Sequence, residues 1–215
     1  MKKLFFITAI ITTIVVVNSC QKADRFNPTQ SHQLAADVSG KVATDWYRLQ
    51  TRLLLERNSS FNGAYWGYLG IGLYEATRFL TPKSVSLSDR LYQMPQMPAK
   101  ENKNYNWEIS ANSVMASLVR LLNTGLTPAN NASIDSLENA YNQRLAPMAG
   151  AEITARSQAF GSSIATAVYN WYLTDNFNPS NVGYTPLVFD GAWVPTLPAR
   201  ANGVMPFVGN ARVYV

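Results

Sequence analysis

A chain of 215 residues that is 47% hydrophobic and 14% charged is long enough to enclose one sizeable core and too apolar to stay disordered. Lysine and arginine outnumber aspartate and glutamate by five, an excess that falls to three if Lys2 and Lys3 leave with a leader, and no basic run follows Lys3. These figures exclude an electrostatic track for nucleic acid and a polybasic membrane patch.

The chain opens on "MKKLFFITAIITTIVVVNSC", a basic start followed by an apolar stretch from Leu4 to Val17 and then small or polar residues up to Cys20. That layout predicts a signal peptide over residues 1–19, because the apolar stretch is shorter than the roughly 20 residues a membrane-spanning helix needs. "VNSC" resembles the bacterial lipobox, which implies cleavage after Ser19 and lipid attachment at Cys20; an ordinary signal with an incidental thiol is the alternative. Cys20 is the only cysteine, so it has neither a disulfide partner nor a metal-ligand set. Residues 20–32, polar and broken by Pro28, predict a tether between an anchored cysteine and a folded body.

Residues 33–177 predict a bundle of about five helices. Val38, Val42, Trp46, Leu49 and Leu53 recur at intervals of three and four, marking a first helix between about Gln33 and Glu56 with a break at Asn58 to Asn62. "GAYWGYLGIGLYEATRFL" predicts a second helix, and its Gly63, Gly67, Gly70 and Gly72 suggest a closely approaching backbone, since each interior glycine costs about 1 kcal/mol relative to alanine. Lys83 to Asn106, with Pro95 and Pro98, reads as a long surface loop of the kind that is functional or shaped by another part of the protein. Ala111, Val114, Met115, Leu118, Leu121 and Leu122 mark a third helix. Thr127 and Pro128 supply a capping residue and a first-position proline for a fourth, striped by Ile134, Leu137, Tyr141 and Leu145. Ile153, Ser157, Phe160, Ile164, Val168 and Trp171 mark the fifth. No strand pattern competes, so the fold class is all-α, followed by an extended arm over residues 178–215 in which proline and glycine prevent helical periodicity.

Catalytic chemistry is sparse along this body. The single histidine, His32, lies at the edge of the tether, so histidine-based metal ligation and a His-based triad have no set to draw on. Glu75, the one acid within the glycine-rich helix, lacks a second carboxylate or histidine at i+3 or i+4. It therefore reads as a structural carboxylate, paired with an arginine such as Arg52 or Arg78 or facing solvent, rather than as a general base or ion ligand. Neither "GLTPANNAS" nor the glycine-rich helix has the lysine and Gly-x-Gly spacing of a phosphate loop. The pairs Trp46-Tyr47, Tyr65-Trp66 and Trp171-Tyr172 could stack on sugars, but adjacent aromatics on a helix usually divide between core and interface. No catalytic, cofactor-binding or metal-binding residue is assigned.

Three stretches carry a resemblance. "YLGIGLYEA" at Tyr68 to Ala76, "FGSSIATAVYNWYLTDN" at Phe160 to Asn176 and "GAWVPTLPARANGVMPFVGNAR" at Gly191 to Arg212 resemble, in order and spacing, bacterial members of the vanadium-dependent haloperoxidase family. That family lies within the type 2 phosphatidic acid phosphatase superfamily. The third stretch departs from the family at Leu197, where proline is common, and at Val208, where tryptophan is common. The resemblance implies halide oxidation by peroxide, or phosphoester hydrolysis, in a full-length protein with vanadate as the haloperoxidase cofactor. In relatives, one histidine ligates vanadate, a second acts in acid–base chemistry, and a lysine, two arginines and a Ser-Gly-His stretch hold the oxyanion; these motifs lie beyond the arm. This sequence contains no Ser-Gly-His, so the resemblance implies the N-terminal part of such a protein, inactive alone, with the arm leading to a C-terminal bundle that this chain lacks. Expected partners are that bundle, a bacterial membrane through the lipid anchor (periplasmic or outer membrane) and, as an open alternative, further copies of the chain. The competing expectation is a surface lipoprotein that binds glycan or protein through its helical module.

Overall fold

The computed structural model describes residues 34–56, 64–178, 180–194, 198, 203 and 205–212. Among these the protein has five α-helices, α1 (Lys41–Glu56), α2 (Ala64–Thr77), α3 (Trp107–Leu122), α4 (Pro128–Ala149) and α5 (Ala151–Tyr172), and no strand. The all-α class and the number of helices agree with the sequence reading.

α1 starts later than the apolar spacing suggests. Val38 is extended and Ala35–Asp37 forms a separate 3-10 turn, because the Ser39 hydroxyl accepts from the Lys41 N–H and begins the helix there. Its stripe of Val42, Trp46, Leu49 and Leu53 is buried as expected, while the break at Asn58 to Asn62 lies outside the described residues.

α3 is the hub, packed against all four other helices. The Asn106 side chain caps it by accepting from the Ile109 N–H at 3.0 Å. Apolar residues Val114, Met115, Leu118 and Leu122 are buried, and so are Ser110, Asn112 and Ser113. These polar side chains are tolerated because each has partners on a neighbouring helix. Asn112 accepts from the Trp46 indole at 2.9 Å and donates to the Glu138 carbonyl and the Asn142 side chain. Ser110 and Ser113 donate to the carbonyls of Ser157 and Gln158 on α5.

α4 begins as its sequence suggests, with Thr127 accepting from the Asn130 N–H and Pro128 at the first position. It turns into α5 at the single residue Gly150, whose φ of 79° suits glycine and allows so sharp a corner. Of the glycines expected to meet a close backbone, Gly63 lies outside the described residues and Gly70 and Gly72 meet only side chains; a close backbone approach is found on α5. A Cβ on Gly161 would sit 2.5 Å from the Ser110 carbonyl oxygen and 2.8 Å from the Ser113 Cβ, whereas Gly72 of α2 meets only the side chains of Leu118 and Val114.

α1 and α4 are pinned together by Asp45, which accepts from the Tyr141 hydroxyl at 2.7 Å and pairs with Lys41 and Arg48. The Lys41 ammonium and the Tyr141 hydroxyl hold the Asp45 carboxyl below its ordinary 3.8, while burial and the adjacent carboxylate push the Tyr141 phenol up.

Two predictions follow from these contacts. Gly161→Ala should lower stability by about 1–3 kcal/mol, because the Ser110 backbone cannot yield. Gly70→Ala, whose added Cβ would meet only the Tyr47 hydroxyl at 3.4 Å, should be neutral or gain up to about 1 kcal/mol of helix propensity; urea unfolding of both variants checks the contrast. Tyr141→Phe should cost about 1 kcal/mol at neutral pH. A depressed carboxyl stabilises the fold above its unfolded pKa and ceases to do so once protonated. The gap between wild type and Tyr141→Phe should therefore persist at pH 5–8 and close as the pH falls below 3.8, as read from midpoints of unfolding across pH.

Candidate functional site

The segment that follows α5 does not leave the bundle free. α5 ends with Thr174 donating to the Trp171 carbonyl at 2.7 Å, which turns the chain and sets Asp175 beside Tyr68 of α2. Tyr68 is fully buried, edge-on to Trp171 and Tyr172, and its hydroxyl donates to Asp175 Oδ2 at 2.6 Å. Arg212 closes the arrangement from the far end of the arm. Its backbone N–H donates to Asp175 Oδ1 at 2.9 Å, and its guanidinium donates to the Tyr68 hydroxyl, the Trp171 carbonyl and the Thr174 hydroxyl at 2.8, 3.0 and 2.7 Å. The guanidinium carbon lies 4.3 Å from the Trp171 ring centroid, in cation–π contact. These groups form a clasp between α2, α5 and the arm, in which the Arg212 Nε and the Trp171 indole N–H are buried without a hydrogen-bond partner.

Between Asp175 and Arg212 the chain therefore runs out and returns as a closed excursion. A second fastening lies further along it. Asn181 donates to the Gly203 carbonyl and accepts from the Met205 N–H at 2.8 and 3.2 Å, and Tyr184 packs edge-on against Phe207. The outer part is apolar and open: Val188 is 96% exposed and Leu187 74%, with Phe189, Trp193 and Val194 also exposed. Asp190 is the one charged residue from 180 to 194. The apolar surface expected around Trp193 is present, whereas Pro206 and Phe207 are half-buried.

Glu75 occupies the structural role read for it. It is buried, 3.2 Å from Arg78 Nε in an off-line ion pair, and it accepts from the Ser86 hydroxyl and, at 2.6 Å, from the Leu87 N–H. It thereby pins the start of the long loop, whose Met94 is buried, so that the loop is fastened to the body rather than loose. Of the aromatic pairs, Trp46 and Trp171 are core residues, Tyr47 and Trp66 stack on each other at 5.6 Å, and Tyr172 packs edge-on against Tyr65 and Tyr68. Cys20 and His32 lie outside the described residues. Among the described residues there is no group of three or more His, Cys, Asp or Glu placed to hold a metal ion, and no helix is long and apolar enough to cross a membrane.

No protein-family model, curated protein or solved structure matches the chain.

Arg212→Ala removes the fork that three acceptors share. The expected outcome is a stability loss of about 1–3 kcal/mol and cleavage within residues 176–211 several-fold faster than in wild type, with the α1–α5 body surviving. Arg212→Lys, which keeps the charge but not the planar fork, should fall between the two. Limited proteolysis read by mass spectrometry makes the comparison.

Proposed function

We propose that this chain is the N-terminal helical part of an exported, lipid-anchored protein of the haloperoxidase-like or acid-phosphatase-like kind, and that it scaffolds a second helical bundle carrying the vanadate- or phosphate-dependent chemistry. The observation that carries this reading is the make-up of the clasp. Tyr68 comes from "YLGIGLYEA", Trp171, Thr174 and Asp175 from "FGSSIATAVYNWYLTDN", and Arg212 from the end of the third stretch that resembles the family. Stretches separated by 107 and 37 residues along the chain are thus one unit in space, as parts of a shared architecture should be.

The exposed Leu187, Val188, Phe189, Trp193 and Val194 add support. A cluster of large apolar side chains on one excursion is the chemistry of a surface made to be covered. On this reading the chain contributes support and a docking surface, and the oxyanion pocket comes from the second bundle. The same excursion favours one other reading, a lipoprotein whose helical module binds a separate protein.

Purified chain assayed with vanadate, peroxide and bromide or chloride, and with a phosphate monoester, is expected to show no turnover above a vanadate-only control. Turnover by this polypeptide alone would overturn the reading. A reading frame that continues past the Val215 codon into Ser-Gly-His supports the enzyme. A stop codon there in several isolates supports the separate binding module. For the anchor, wild type should partition into detergent and Cys20→Ser into the aqueous phase; a wild type that stays aqueous leaves simple secretion.

A further inference from the structure

Within the arm's excursion, Phe189 to Ala192 form a turn closed by the Ala192 N–H donating to the Phe189 carbonyl at 2.9 Å, with Asp190 and Gly191 at its centre. Gly191 takes a φ of 87°, a conformation that glycine adopts without strain. Both central residues are exposed; the Asp190 carboxyl has no hydrogen bond or ion pair within the protein, and the Gly191 N–H donates to no protein group. Every other described aspartate is held. Asp37 accepts from the Leu34 N–H, Asp45 from Tyr141, Asp89 from Gln96, Asp135 from Arg120, and Asp175 from Tyr68 and Arg212. Asp190 is also the one aspartate in the sequence that a glycine follows.

We propose that Asp190 and Gly191 form a self-modifying site, at which the aspartate rearranges to isoaspartate without an enzyme. The Gly191 nitrogen attacks Asp190 Cγ in its carboxylic acid form. The N–Cγ bond forms, the Cγ–OH bond breaks, and the hydroxyl leaves as water with the amide proton, giving a succinimide ring. Water then opens the ring. Addition at Cγ restores aspartate, while addition at the Asp190 main-chain carbonyl breaks its bond to the Gly191 nitrogen and leaves the chain running through Cγ. One water is lost and one regained, so mass and oxidation state are unchanged. The turn supplies what the reaction needs: a carboxyl free to rotate, a main-chain nitrogen with no other engagement, and no Cβ on the following residue to block the approach. The product carries an extra main-chain carbon between residues 190 and 191 and a carboxylate directly on Cα. The Ala192 N–H and the Phe189 carbonyl then no longer close the same turn, so the spacing between Phe189 and Trp193 changes. On the reading of the excursion as a docking surface, this change falls within that surface; the chemistry itself does not depend on that reading.

The test ages the whole chain in neutral buffer at physiological temperature and maps it by peptide mass spectrometry with electron-transfer fragmentation, which separates isoaspartate from aspartate at equal mass. Isoaspartate should accumulate at residue 190 several-fold faster than at Asp37, Asp45, Asp89, Asp135 or Asp175, and a protease that cuts before aspartate should progressively lose its cut before residue 190. Gly191→Val, which crowds the attacking nitrogen, should slow the rearrangement at least several-fold. Asp190→Asn, which enters the same ring by losing ammonia instead of water, should also yield isoaspartate. No isoaspartate at residue 190 in wild type or in Asp190→Asn, a rate no higher than at the held aspartates, or an unchanged rate in Gly191→Val would each overturn the proposal.

Discussion

The approach of α5 to α3 at Gly161 sets the geometry on which everything else hangs. With no Cβ at that position, the α5 backbone lies against the Ser110 carbonyl, and the two helices come close enough for serine hydroxyls to reach across to main-chain carbonyls. A larger residue would push α5 outward and strand Ser110, Ser113 and Ser157 in a wider, partly apolar gap, where each lost hydrogen bond exposes the cost of burying a polar group. The C-terminal end of α5 inherits its position from this contact. Trp171 and Asp175 can meet Tyr68 only because α5 is held at that depth.

Two kinds of polar order coexist in the body. Around α3 several buried polar side chains are matched across helices, with Asn112 tied to Trp46, Glu138 and Asn142 and with Gln50 facing Asn123. Such matched networks disfavour alternative helix registers, because a shift by one residue would leave several partners unmatched at once. At the clasp the same logic acts across the chain's longest intervals. One arginine joins the end of the arm to two helices, so the arm's presentation is part of the bundle's order rather than separate from it.

The helices were legible because their apolar stripes recur at the helical period, as in Val42, Trp46, Leu49 and Leu53, and because Thr127-Pro128 is an explicit start signal. Less visible was the hub role of α3. Ser110, Asn112 and Ser113 look like a solvent face when residues are sorted by polarity, and they are buried only because partners lie on other helices. Gly161 stood among small residues in "FGSSIATA" with nothing local to single it out, while the more conspicuous glycines of α2 drew the expectation of close packing. Gly150 in "MAGAEI" carried a readable signal for a helix end, a glycine between two helix-forming runs. The clasp had no such signal, since Tyr68 and Arg212 come together only through the fold.

The return of the arm to its own starting point has a mechanical meaning. A pull applied just beyond Arg212 reaches α2 and α5 directly through the bonds to Asp175, Tyr68 and Trp171. It does not travel along the excursion. The load is shared among several hydrogen bonds that must fail nearly together. Tension beyond Arg212 is therefore borne at the clasp and bypasses the exposed apolar residues 187–194.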